Sequence, residues 1–231
     1  MKKSTSKMSP RLPLATIAGV MLGMLTNQAL AGTIIGTKHD FSASGWSGNE
    51  ICIVCHTPHN SITTISTAPL WNHEPTTAVF NTYKSTTMDS TTSDPQGISR
   101  LCLSCHDGSV SYDAFSGAQD NPLGPRMSGA PAVGRNADLT DDHPISMTYD
   151  TALSNVDKGL KDPATAPVTI GETGGKTRTG VVADLMLTAG MVECSSCHDV
   201  HNGFTVSGLP GTPLLKVSKT KSALCLTCHD K

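Results

Sequence analysis

Apolar positions along this chain are sparse and seldom periodic. The longest apolar run lies at the very start, from Leu12 to Leu25, broken by Pro13 and Thr16. Lys2, Lys3, Lys7 and Arg11 precede it, and Ala29-Leu30-Ala31 follows. A basic segment, a short apolar segment and an A-x-A site predict a secretory signal peptide, residues 1–31, cleaved after Ala31. The run falls short of the ~20 residues that span a bilayer, so retention as an anchor is disfavoured. No later stretch qualifies as a membrane span, and residues 32–231 read as one domain.

In that domain the pattern predicts little regular structure. Residues 32–46 read as an extended arm. Gly48-Asn49-Glu50 opens a short helix that holds Cys52, Cys55 and His56 on one face, by the i, i+3, i+4 rule. Residues 61–99 read as Ser/Thr-rich loop around Pro69-Leu70-Trp71-Asn72-His73, and a second short helix begins near Ser99. Turn chemistry dominates at Asn121-Pro122, Gly124-Pro125 and Ala130-Pro131. One amphipathic helix is predicted over 151–161, with Leu153, Val156 and Leu160 on one face and Pro163 just beyond. Val168-Thr169-Ile170 and residues 176–182 flank Gly174-Gly175 as a hairpin, and Gly171 to Gly175 reads as a turn, not a phosphate-binding loop. Ser218 or Thr220 is expected to cap a last helix.

Composition explains the irregularity. Aromatic residues make up 4% of the chain and hydrophobic residues 37%. That is too little large apolar surface for an ordinary 200-residue core, and without another source of interior the chain leans toward disorder. Cleavage of the leader removes four of 17 basic residues and none of 19 acidic ones, so the net charge moves from −2 to −6. A nucleic-acid partner, which needs a basic face, is disfavoured.

The cysteines supply the missing interior. Cys52-Ile-Val-Cys55-His56, Cys102-Leu-Ser-Cys105-His106, Cys194-Ser-Ser-Cys197-His198 and Cys225-Leu-Thr-Cys228-His229 use all eight. A disulfide, a redox dithiol or a zinc site leaves the residue after the second cysteine free to vary. Histidine fills it four times, an accident on the order of one in half a million for this composition. CxxCH is the attachment pattern of c-type haem: each thiol adds to a vinyl group and the histidine reaches the iron. Four haems follow, with His56, His106, His198 and His229 as proximal ligands. Their porphyrins would form the core, with loops, a short helix at each CxxCH and at most a small hairpin wrapped around a row of four.

Five histidines remain for the opposite faces of the irons: His39, His59, His73, His143 and His201. His59 and His201 each stand three residues after a motif histidine. Imidazoles so close on one segment lie on the same side of a porphyrin. As a ligand, either would therefore serve a haem other than its neighbour's and draw haems together; the alternative is an exposed histidine lying over the edge of its own haem. With histidines sufficient, Met88, Met127, Met147, Met186 and Met191 read as packing residues, and Asp141-Asp142 as a solvated turn.

The run from His39-Asp-Phe-Ser to Cys52-Ile-Val-Cys-His-Thr-Pro-His-Asn, with Pro69-Leu-Trp-Asn and Asp142-His143-Pro144, resembles the multihaem cytochromes c of metal-reducing bacteria. Among these, the resemblance extends over the full length to tetrahaem outer-surface cytochromes that polymerise. It implies bis-histidine haems, a mostly irregular fold, and filaments in which a histidine of one subunit ligates a haem of the next. Carried over by position, His39, His59, His143 and His201 are the distal ligands, His73 is the spare fifth, and His59 is the ligand that crosses between subunits. The partners implied are further copies in a head-to-tail homopolymer, other redox proteins and extracellular electron acceptors. The location implied is the cell exterior.

Three functional classes remain: a polymeric electron conduit, a soluble periplasmic tetrahaem shuttle, and a reductase with one open haem. The reductase is least favoured, because enough histidines exist to close every iron and no basic cluster marks an anion funnel. The chain reads as an electron carrier, not an enzyme.

Overall fold

Regular elements are few and short because the chain is rich in turn formers and poor in periodic apolar positions. The computed structural model describes residues 34–65, 67–171, 176–206 and 213–230. The expected leader and the Gly174-Gly175 apex lie outside the described residues.

The arm expected to be extended is instead a succession of turns, closed by Thr37 N–H to Ile34 O (3.0 Å) and Ser44 N–H to Phe41 O (2.9 Å). It folds back so that Phe41 and Trp46, 5.2 Å apart, stack with Tyr112. Strand β1 (Asn81–Thr82) pairs in parallel with β2 (Asp138–Leu139). Helix α1 (Gly97–His106) is the longest helix described and carries the second motif. Beneath it Phe80, Leu103 and Leu139 form a small buried cluster. Gly134 closes over this cluster at φ +70°, where a Cβ would approach Phe80, Leu139 and Leu103 within 3.0–3.2 Å.

The second buried cluster gathers Tyr149, Ala166, Val168, Ile170, Val182, Leu185 and Met186. It forms because β4 (Pro167–Ile170) and β5 (Arg178–Val181) make the expected antiparallel pair, and α3 (Val182–Leu185) covers it. The nearby Gly175-Lys176-Thr177 ending does not make a phosphate loop: Gly171 stands one residue too close to it for that spacing. Strands β3 (Met147–Thr148) and β6 (Met191–Val192) pair antiparallel just ahead of the third motif.

Three expectations need correction. Helix α2 spans Thr151–Val156, started by the Asp150 carboxylate accepting from Leu153 N–H at 2.8 Å, and stops short of Lys161. Leu160 leaves it to bridge His229, and Lys161 N–H donates to Cys228 O (2.8 Å), so the last turn holds the fourth motif in place. The first motif forms a single turn (Cys55 and His56 N–H both to Cys52 O) and no helix, since His56 is drawn into a bridge with Trp71. Helices α4 (Cys194–Cys197) and α5 (Cys225–Cys228) are equally brief, because His198 and His229 adopt extended backbone. Ser218 and Thr220 do not cap α5 with their hydroxyls; the Ser218 carbonyl accepts Leu224 N–H at 2.9 Å.

No helix among the described residues is long and apolar enough to cross a membrane.

Candidate haem sites

Three of the four motifs are braced through their histidines. His56 Nδ1 lies 2.6 Å from Pro69 O, His106 Nδ1 2.8 Å from Pro131 O, and His198 Nδ1 2.5 Å from Pro213 O. An Nδ1–H bonded to a carbonyl fixes the tautomer and leaves Nε2 as the donor toward a metal. Sequence reasoning missed these three prolines. The signal available was Pro-Leu standing downstream of both CxxCHxxH runs.

The thiols are free in all eight cases; Cys52 and Cys225 are exposed and the other six half-buried. No group of three or more His, Cys, Asp or Glu side chains among the described residues converges into a metal site of its own, which disfavours zinc. The Cys102 and Cys194 thiols lie side by side, and their coupling raises the Cys102 thiol and lowers that of Cys194. The second and third attachment points therefore adjoin.

Glu193 makes that contact. Buried at 4% exposure, its carboxylate accepts from the Ser99 N–H (3.2 Å) and from the Ser99 hydroxyl, while Cys194 N–H donates to Ser99 Oγ (3.1 Å). Ser196 Oγ accepts the Glu193 N–H at 2.9 Å, completing a capping box on α4. Helices α1 and α4 are thus pinned at their starts by one carboxylate. Burial pushes this carboxyl above its usual 4.5. The folded state then holds the proton more tightly than the unfolded chain, so Glu193's contribution to stability is present below pH 4.5 and is lost as pH rises through the raised value. Glu193→Gln keeps an acceptor and removes the titration. Its thermal midpoint is expected to fall less than the wild type's between pH 4 and 7, and equal slopes would refute this account.

The distal candidates fall into pairs with motif histidines. The rings of His39 and His106 are 6.1 Å apart between centres, those of His56 and His201 6.0 Å, and those of His143 and His229 6.4 Å. Two imidazoles on one iron, with bonds near 2.0 Å and each ring centre about 1.1 Å behind its donor, stand about 6.2 Å apart. All three spacings fit an iron between the rings. His39 is held neutral, its pKa pushed down to about 4 by burial and then by the cationic forms of His106, His198 and His201 nearby. Its Nδ1 is buried without a partner, as is Trp71 Nε1. A neutral imidazole is the form that ligates a metal.

His201, three residues after His198, faces His56 of the first motif. His198 has no ring opposite it among the described residues, and the His59 side chain is exposed.

His73 stands apart. It is 0% exposed, with Nδ1 2.9 Å from Glu74 O and Nε2 2.9 Å from Ser111 O. Neither nitrogen is turned to a motif histidine, and burial is the main force lowering its pKa. His73→Ala is expected to leave the haem absorption spectrum unchanged. It should destabilise the fold by about 2–4 kcal/mol, from a cavity and one carbonyl left without its donor, read as a lower thermal midpoint.

Lys216 was also missed. Its Nζ donates to Leu185 O (3.1 Å), its N–H donates to Cys197 O (2.8 Å), and burial lowers its pKa. It ties the third motif to the larger buried cluster.

Residues 187–231, which hold the third and fourth motifs, match the family model described as the doubled CXXCH motif. This is the signature of a multihaem c-type cytochrome. No curated protein sequence matches the chain. In this chain the donors are paired thiols and imidazoles on short, loop-borne segments, a set that fits haem and electron transfer.

Proposed function

We propose that residues 32–231, exported after cleavage of the 1–31 leader, carry four c-type haems. The cytochrome passes electrons through them as a subunit of an extracellular filament that delivers charge to acceptors such as metal oxides. When bound, each haem supplies a reversible one-electron couple, and two imidazoles keep its potential low.

Cys52 and Cys55, Cys102 and Cys105, Cys194 and Cys197, and Cys225 and Cys228 hold the four groups as thioethers. His56, His106, His198 and His229 are the proximal ligands. His201, His39 and His143 close the irons of His56, His106 and His229 in that order, and orient each group by fixing both of its faces. His59 is the ligand offered to a neighbouring subunit. The chain transforms no substrate of its own on this reading, because every iron has an imidazole for each face.

One observation carries the proposal. Three imidazole pairs at 6.0–6.4 Å lie within the chain, while one motif histidine, His198, and one exposed histidine, His59, are left without a partner ring among the described residues. A donor and an acceptor left over on one chain are satisfied by copies joined head to tail. The full-length resemblance to the tetrahaem outer-surface cytochrome OmcE supports the same reading.

The test is electron microscopy of material sheared from cells that express the protein, with ferric absorption spectra of the same material. Filaments with all irons low-spin are expected. A monodisperse species confined to the periplasm would support the shuttle instead, and a persistent high-spin iron in assembled material would support the reductase.

A further inference from the structure

The chain contains one arrangement twice. Residues 52–60 map onto 194–202 with a shift of 142, both ending in a CxxCHxxHN run. The bonding around them matches as well. His56 Nδ1 meets Pro69 O and His198 Nδ1 meets Pro213 O. Thr57 N–H donates to Leu70 O, and Asp199 N–H to Leu214 O, both at 2.9 Å. Asn72 N–H donates to Cys55 O (3.0 Å), and Lys216 N–H to Cys197 O (2.8 Å). Ile62 N–H to Trp71 O (2.8 Å) has its counterpart in Val206 N–H to Leu215 O (2.9 Å), now shifted by 144. The same backbone positions take left-handed geometry: Asn60 and Asn202 at φ 57° and 54°, Leu70 and Leu214 at 54° and 52°. Around this shared unit the order also repeats. A distal histidine comes first (His39, His143), then CxxCHxxH, then Pro-Leu, then a second CxxCH whose histidine faces that first one.

The subunit is therefore two dihaem modules in tandem, the second beginning near His143. The two modules meet at one join. His201 of the second module faces His56 of the first, Cys102 adjoins Cys194, and Ser99 N–H donates to Glu193. The counterparts of these groups at the outer ends are His59 for His201 and His198 for His56. Cys225 and Cys52 stand for Cys102 and Cys194, while Ser222 and Ile51 stand for Ser99 and Glu193. His59, His198, Cys52, Cys225 and Ser222 are all exposed, and Cys52 and Cys225 are the two exposed cysteines of the eight. An open groove lined by Lys221, Ser222, Cys225, Leu226 and His229 marks the C-terminal end.

We infer that the contact between successive subunits repeats the contact between the two modules. The C-terminal module of one copy receives the N-terminal module of the next, His59 closes the iron of His198, and residue 222 meets residue 51. The partner is a second copy of this chain, and the assembly is a polymer of dihaem modules whose covalent joins alternate with non-covalent ones. This rests on the filament reading and specifies the surface it uses.

The test combines cryo-electron microscopy of native filaments with two variants of the full holoprotein. In the filament map the rotation and translation that carry the first module onto the second should also carry the second onto the next subunit's first, with His59 opposite His198. His59→Ala removes an exposed ring with no side-chain bond among the described residues. It should fold, fail to polymerise and hold one high-spin iron in four. Ser222→Trp, at an exposed site, should block the join, giving particles with the same single high-spin iron. Wild-type protein that forms no filaments overturns the filament reading and this inference with it. Filaments in which His59 faces another haem, or a Ser222→Trp variant that assembles like wild type, overturn this inference alone.

Discussion

His201→Ala is expected to convert one iron in four from low to high spin while leaving the other three as they were. The affected iron should be that of His56, 145 residues away in the sequence, and not that of His198 three residues away. The rings of His56 and His201 are nearly parallel, 17° apart in plane at 6.0 Å, so removal of one leaves the other facing an open coordination site. Because Cys52 and Cys55 hold the group through thioethers, the haem stays attached and the mass of the chain changes only by the side chain. The readouts are a ferric high-spin band at one quarter of the iron, binding of one carbon monoxide per chain after reduction, and a raised potential for that haem, since a bis-imidazole field is lost. No carbon monoxide bound, with all irons low-spin, would mean that the His56–His201 pair is packing and not ligation. The variant should keep its fold. The His201 side chain is exposed and, besides the His56 ring, makes a long 4.0 Å contact with Asp199, and the loop is held by Asp199 Oδ2 accepting from Gly203 and Phe204 N–H at 2.9 Å each.

Much of this site is legible in residue spacing. CxxCH names the attachment points outright, and the argument that His59 and His201 cannot serve their own motifs follows from the reach of an imidazole. The partner of each distal histidine is not legible, because it depends on how loops of 26 to 87 residues between motifs fold back. His39 is an example: it lies 13 residues before Cys52 and faces His106, brought there by turns at Thr37, Asp40 and Ser44. The helix expected over 151–161 fails for the same reason. Leu160 has helical spacing from Val156, yet its backbone is claimed by His229 from the far end of the chain, and tertiary pairing overrides local periodicity. The duplication was hidden by unequal insertions. The spacing from Pro-Leu to the second CxxCH is long in the first module and short in the second, while the reverse holds between the distal histidine and the first CxxCH.

A chain in which all eight cysteines are serine, or one made where haem is not attached, is expected to lose its fold. Among the described residues, ten of the 16 buried apolar residues fall into one cluster of seven and another of three, each sitting beside a motif and not beneath the whole chain. Around them the polar accounts are settled locally. Ser, Thr and Asp side chains satisfy neighbouring backbone, as Asp107 does with Ser109 N–H and with the hydroxyl of Thr76 at 2.6 Å. Such bonds exchange evenly with water and yield about 1 kcal/mol each at most, against an ordering cost of about 1–2 kcal/mol for every backbone residue fixed. Ordinary domains offset that cost with a continuous side-chain core, which 4% aromatic residues do not provide. On the proposed reading four porphyrins, each joined to the chain at two thioethers and two imidazoles, would replace it and shorten the loops of the unfolded chain as disulfides do. The expected result is a far-UV circular dichroism spectrum of a disordered chain, no cooperative thermal transition and rapid proteolysis. Cys225→Ser with Cys228→Ser should give a milder version. Loss of the fourth group frees Lys161 and Tyr149, which now bond Cys228 O, so unfolding should begin at the β4–β5 end while α1 and its Asp107 network persist. A serine-only chain that melts cooperatively would mean that the polypeptide, and not the porphyrins, is the interior of this molecule.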